Sequence, residues 1–74
     1  MPKYAVEVTD TFGGEPNYSY VDRYVIEAKS FLGAVRKVGR RESLKLRYAY
    51  NVGDAARYDA VDDPICVFIE EKED

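Results

Sequence analysis

Only one stretch of this chain places its apolar residues with a helical period. From Ser30 to Arg41, Phe31, Ala34, Val35 and Val38 fall at i, i+3, i+4 and i+7, the spacing of a core-facing stripe. Every other apolar segment alternates or is short, as strands are. All of them must therefore pack on this single helix. Ser30 is a good N-cap, because its hydroxyl can accept from a free amide of the first turn. Asp22 and Glu27 lie outside the helix, so no full capping box forms. Gly33 and Gly39 each cost up to about 1 kcal/mol relative to Ala in a helix interior. Gly33 is expected to let the helix lie close on the sheet, and Gly39 to be a weak point near its end. Arg36, Lys37, Arg40 and Arg41 fall on the outer side and in the last turn, where they suit the negative end of the helix dipole.

The flanking segments alternate with a period of two. Lys3 to Thr9 puts Tyr4, Val6 and Val8 on one face. Residues 10–17 hold Gly13-Gly14, Pro16 and Asn17, which make a long hairpin loop, and Phe12 in it is expected to fold over the core edge. A second, antiparallel strand runs from Tyr18 to Ala28, with Tyr20, Tyr24 and Ile26 inward and Val21, Arg23, Val25 and Glu27 outward. After the helix, Leu44 to Asn51 alternates again, with Leu44, Leu46, Tyr48 and Tyr50 inward. Val52-Gly53-Asp54 turns the chain. The segment from Ala55 to Val61 fits either a hairpin partner or an irregular loop. Asp62-Asp63-Pro64 breaks it, and Ile65 to Glu70 is a nearly continuous apolar run, as a buried central strand requires. The order β-β-α-β-(β)-β predicts a small α+β domain of two layers: a mostly antiparallel sheet of four to five strands with one helix on one face. The other face should carry Arg23, Glu27, Lys45 and Arg47 mixed with Val21, Val25 and Phe68.

A chain of 74 residues makes one domain, here 1–74 with 71–74 as a solvated acidic tail, and buries one thin core. Cys66 is the only cysteine and there is no histidine, so neither a disulfide nor a Cys/His zinc site is available. Cys66 sits in an apolar run and is expected to be a small buried hydrophobe. The N-terminus turns polar within a few residues, and no apolar run approaches the roughly 18 residues of a membrane span. A soluble, cytoplasmic protein is the expectation.

Catalysis is not expected. General acid–base chemistry near neutral pH uses His, or a carboxylate or Lys tuned by burial, and here the carboxylates lie mostly in turn and tail runs. Ser30, Ser43 and Cys66 have no His partner. Gly13-Gly14 lacks the phosphate-loop pattern. Asp54, Asp59, Asp62 and Asp63 lack EF-hand spacing. No metal or other cofactor is expected.

The charge pattern is more informative than its net of −3. Residues 23–50 hold eight bases and two acids, whereas 51–74 hold two bases and eight acids. Two kinds of binding follow. The basic helix and the strand after it, through Arg36, Lys37, Arg40, Arg41, Lys45 and Arg47, form an electrostatic footprint for nucleic acid, with Tyr48, Tyr50 and Tyr58 as stacking faces. Separated charge and abundant tyrosine equally suit a protein partner. Self-association into a homodimer through the uncovered sheet face near Val21 and Val25 is a third expectation.

The run from Asp10 to Tyr20, Arg23-Tyr24, Glu27-Ala28, Gly33 to Lys37, and Gly53 to Asp59 together resemble a group of small uncharacterised proteins encoded in bacteriophage genomes. The likeness spans most of the chain. It implies a phage accessory protein made in the host cytoplasm. Some small acidic phage proteins of similar size and strand–helix–strand build inhibit host defences, CRISPR–Cas effectors among them, and the analogy is one of class. An inhibitor of that kind needs a surface and no active site. Its acidic face would be Asp54, Asp59, Asp62, Asp63 and Glu70, with Tyr58 beside them, and could occupy a basic nucleic-acid channel.

Overall fold

The computed structural model describes the backbone of residues 1–10 and 19–72, and the side chains of residues 1–10 and 22–72. It is the expected two-layer α+β domain. Its elements are β1 (Lys3–Asp10), β2 (Ser19–Glu27), α1 (Phe31–Glu42), β3 (Leu46–Val52), β4 (Ala55–Ala60) and β5 (Ile65–Lys72). All pairings are antiparallel, and the sheet order is β2-β1-β5-β4-β3. The last strand in the chain is thus the middle strand in space. That position explains its composition: Cys66, Val67 and Ile69 are fully buried, although Cys66 and Val67 point to opposite faces. The undecided segment from Ala55 is a strand, because its hairpin to β3 supplies the edge on which β5 docks.

Helix α1 lies over the middle of one face. Phe31 meets Tyr4 of β1 edge-on at 5.7 Å and Tyr58 of β4 at 6.3 Å. Toward β2, the Tyr24 hydroxyl donates to Glu42 Oε2 at 2.9 Å. Toward β3, a Cβ on Gly39 would stand 4.0 Å from Leu46 Cδ1. Ala28, Ala34 and Val38 close on Tyr4, Val6, Val8, Val67 and Ile69 to make the core. Ser30 caps the helix as expected, accepting from the Gly33 amide at 3.1 Å. The C-terminus ends at Ser43, which adopts the left-handed conformation (φ 57°, ψ 43°). The Leu44 amide then donates back to Gly39 O at 2.9 Å. Gly39 is therefore a point of close approach: a Cβ there would meet Leu44 O at 3.0 Å. Gly33 does not bring the helix onto the strands. Its nearest neighbours are Ser30 Oγ and Ala28 Cβ, both at the cap.

Both edge strands carry a bulge. Opposite Val8 and Thr9, β2 skips from Asp22 to Tyr20, and opposite Tyr58 and Arg57, β3 skips from Tyr48 to Tyr50. Bulges twist an edge away from pairing with another strand. They also change which residues face the helix. Tyr50, expected inward, lies opposite Arg57 on the face away from α1. Tyr48 does face the helix side, but it is 53% exposed because β3 is an edge. Leu44 precedes β3 instead of belonging to it. Glu71 and Lys72, expected in the tail, are exposed residues at the end of β5, opposite Tyr4 and Lys3. The positions expected for Phe12, Tyr20 and Val21 lie outside the described side chains.

Candidate functional site

The acidic set does not form one face. Tyr58 is buried on the helix side, 8% exposed, with its hydroxyl pKa pushed up by burial and then by Tyr48. Asp59 is on the opposite side of β4 and is engaged: its Oδ1 accepts from Arg57 Nε at 2.8 Å. Asp54 and the pair Asp62-Asp63 are exposed, but they flank β4 at opposite ends, about 25 Å apart at some 3.3 Å per residue. Glu70 is exposed on the face away from α1 and, among the described residues, has no ion-pair or hydrogen-bond partner. A single acidic surface fails because a strand alternates its faces and a hairpin puts its turns at opposite ends.

The basic set divides as well. Lys37 and Arg41 belong to the β2 side of the helix. Lys37 Nζ donates to Glu27 O at 2.6 Å, and the Arg41 guanidinium lies 3.7 Å over the Tyr24 ring, within reach of Asp22 and Glu42. Arg47 is opposite Asp59, away from the helix. Arg36, Arg40 and Lys45 instead line one trough of about 680 Å³ between α1 and the start of β3, together with Gly39 and Leu46. Lys45, expected on the sheet face away from α1, precedes β3 and is among the residues lining this trough. Of these cations, Arg36, Arg40, Lys45 and Arg47 have no partner among the described residues.

The Asp22, Tyr24, Arg41 and Glu42 group locks α1 to β2. Burial, and after it the hydrogen bond to the Glu42 carboxylate, pushes the Tyr24 hydroxyl well above its ordinary value. A tyrosine so held is a fixed donor and not a base. Tyr24→Phe is expected to cost about 1 to 2 kcal/mol, at the low end for a charge-assisted bond because the site is only half buried. The raised value means that the folded state keeps a proton which the unfolded chain loses first. The contribution is therefore complete below about pH 10 and fades as pH rises above it. Urea unfolding of both proteins at neutral and at strongly alkaline pH should show the gap closing. A gap that stayed constant would mean that Glu42 does not hold the hydroxyl.

The face away from α1, which no described helix or strand covers, holds a feature that the charge pattern did not single out. Across it run Val25, Ala5 and Glu70 in one row, with the pair Ala55 and Val52 near its end, and Arg23, Glu7, Phe68, Arg57 and Tyr50 in the next. Two alanines beside larger neighbours leave a hollow of about 410 Å³ lined by Ala5, Glu7, Thr9, Val52, Ala55, Phe68 and Glu70. Arg23 Nε pairs with Glu7 Oε1 at 3.3 Å, and Arg57 Nη1 donates to the Tyr50 hydroxyl at 2.7 Å. Val25 and Val52 are about half exposed beside it. At its deep end Thr9 is buried, and its hydroxyl has no hydrogen-bond partner among the described residues. The available signal in the sequence was Phe68, an aromatic among aliphatics in the central strand; the two alanines are silent until strand order places them on either side of β5. Cys66 is next to Thr9 and fully buried, and burial, offset in part by Arg57, pushes its thiol pKa up, away from reactivity.

Among the described residues, no group of three or more His, Cys, Asp or Glu side chains is placed to hold a metal ion. No described helix is long and apolar enough to cross a membrane. No family model matches the sequence, and neither a curated protein nor a solved structure does.

Proposed function

We propose that the protein is a non-enzymatic phage accessory protein that acts by docking a partner protein of the host or phage on the face of its sheet away from α1. The observation that carries this is the hollow around Phe68, with the carboxylate of Glu70, unpaired among the described residues, on its rim. An apolar concavity with a few placed polar groups, on a face that no element of the described chain covers, is a docking surface by its chemistry. Its occupant is a partner segment with an apolar side chain next to a lysine or arginine. The apolar group fills the space between Ala5 and Ala55, and the cation meets Glu70 and the face of Phe68. Occupancy of a partner's working surface inhibits it one-to-one, which is how such a domain would block a host defence. The acidic contact moves from the expected strip along β4 to Glu70.

The test is a tagged pull-down from host lysate, with and without nuclease. A protein captured in stoichiometric amount should persist after nuclease. Glu70→Lys should weaken its binding about tenfold or more, and Ala55→Leu, which fills the hollow, should do the same, while Asp62→Lys leaves it unchanged. Loss of capture on Asp62→Lys but not on Glu70→Lys would return the contact to the β4–β5 turn. Capture of nothing but a second copy of the chain would make the face a homodimer interface.

A further inference from the structure

We infer that the trough between α1 and the edge strand β3 is a second binding surface, and that its ligand is the backbone of single-stranded nucleic acid. Three cations without partners among the described residues converge there. Arg36 and Arg40 are one helical turn apart, about 6 Å along the axis, on the flank of α1 that faces β3. Lys45 closes the row from the chain just after the helix. Gly39 keeps the floor low, since the position opposite Leu46 carries no side chain. Such a row of unpaired cations along an open channel recruits phosphates by releasing their counterions.

Tyr48 decides between a nucleic-acid strand and an acidic peptide. It lies two residues beyond Leu46 on the same side of β3, about 7 Å past the Leu46 end of the trough. The ring is 53% exposed, yet it is held at both ends. Its hydroxyl donates to Asn51 Oδ1 at 3.0 Å, and Tyr58 packs against it edge-on at 5.6 Å. A fixed, exposed aromatic ring in line with unpaired cations is a stacking platform for an unpaired base. An acidic peptide has no use for the ring, and a duplex keeps its bases out of reach. Asp62 and Asp63 mark the other end of the channel, because the amide of Val61 beside them donates to Lys45 O at 2.9 Å. Their charge repels phosphate at that end, so the strand runs from Lys45 toward Tyr48 and onward.

The experiment is fluorescence anisotropy with a labelled oligothymidylate of about 12 nucleotides, long enough to span one small binding surface. Titrations at about 50 mM and about 200 mM salt read the number of phosphates engaged. Saturable binding is expected at the lower salt. The double variant Arg36→Ala/Arg40→Ala should bind about tenfold more weakly and reduce the magnitude of the log–log salt slope by about 1.4, two phosphates at roughly 0.7 each. Tyr48→Ala should weaken binding about 5- to 100-fold with the slope unchanged, and Tyr48→Phe should restore it. Asp62→Asn/Asp63→Asn should tighten it. The altered side chains are exposed, and circular dichroism of each variant checks that the fold is kept. The inference is overturned if no saturable binding occurs at the lower salt, or if Tyr48→Ala has no effect. It is equally overturned if polyglutamate displaces the oligonucleotide at equal charge concentration, which would assign the trough to acidic protein segments.

Discussion

Ile69→Ala is expected to remove about 2 to 5 kcal/mol of stability, the range for truncating a buried aliphatic side chain in a core that cannot collapse around the gap. Ile69 is fully buried in the central strand and packs under α1 beside Val6 and Ala56, its neighbours in β1 and β4. A domain of this length is held by roughly 4 to 11 kcal/mol in total. The substitution thus takes a large share of that, and the variant should be partly unfolded at growth temperature. The control is Leu32→Ala on the outer side of α1, where the side chain is 62% exposed and the expected change is within about 0.5 kcal/mol. Urea midpoints for both variants measure the difference. Equal midpoints would mean that the helix does not seal the centre of the sheet.

Phe31→Ala is expected to cost about 2 to 3 kcal/mol, below the range for a fully buried Phe because the ring is only partly covered. Its size comes from position. Phe31 is the first residue of α1, and its ring joins Tyr4 of β1 to Tyr58 of β4, which in turn meets Tyr48 of β3. The chain of rings ties four elements together at the start of the helix. Phe31→Leu keeps most of the buried area and loses the edge-to-face geometry, so it should cost about 1 kcal/mol, within the range for one or two aromatic pairs. Chemical denaturation of the two variants separates area from geometry. A Phe31→Ala loss under about 0.5 kcal/mol, as at a surface position, would show that the helix is anchored only at its Glu42 end. Because Tyr48 shares this ring chain, Phe31→Ala should also loosen the exposed ring at the trough.

The contrast between Tyr48 and Tyr50 shows how far the residue pattern reaches. Both were placed inward by simple alternation from Leu46. Alternation assumes that every residue has a partner across the strand pair, and the bulge at Ala49 breaks that assumption. Nothing in Tyr48-Ala49-Tyr50 announces a bulge, because the shift is set by how β3 settles on β4. The charge sets behaved in the same way. Arg36 and Arg40 share one helix flank by periodicity, but Lys45 joins them only because the chain folds back at Ser43. Lys37 and Arg41 face β2 for the same helical reason, and there they find the Glu27 carbonyl and the Tyr24 ring.

What the amino-acid sequence determined by itself was the set of elements and the character of each. The helix was legible from the period of Phe31, Ala34, Val35 and Val38 and from the Ser30 cap. The strands were legible from alternation, and β5 was legible as central because a continuous apolar run suits a strand with a neighbour on each side. These are local properties, decided within a turn or two of the chain. Only the tertiary structure decided that β5 inserts between β1 and β4, which brings Ala5 beside Glu70 and sets both with Ala55 around the hollow at Phe68. It likewise decided which cations share a trough and which carboxylates stand apart. Those outcomes depend on register and strand order between residues dozens of positions apart, set by the fit of the whole core, and no local spacing encodes them.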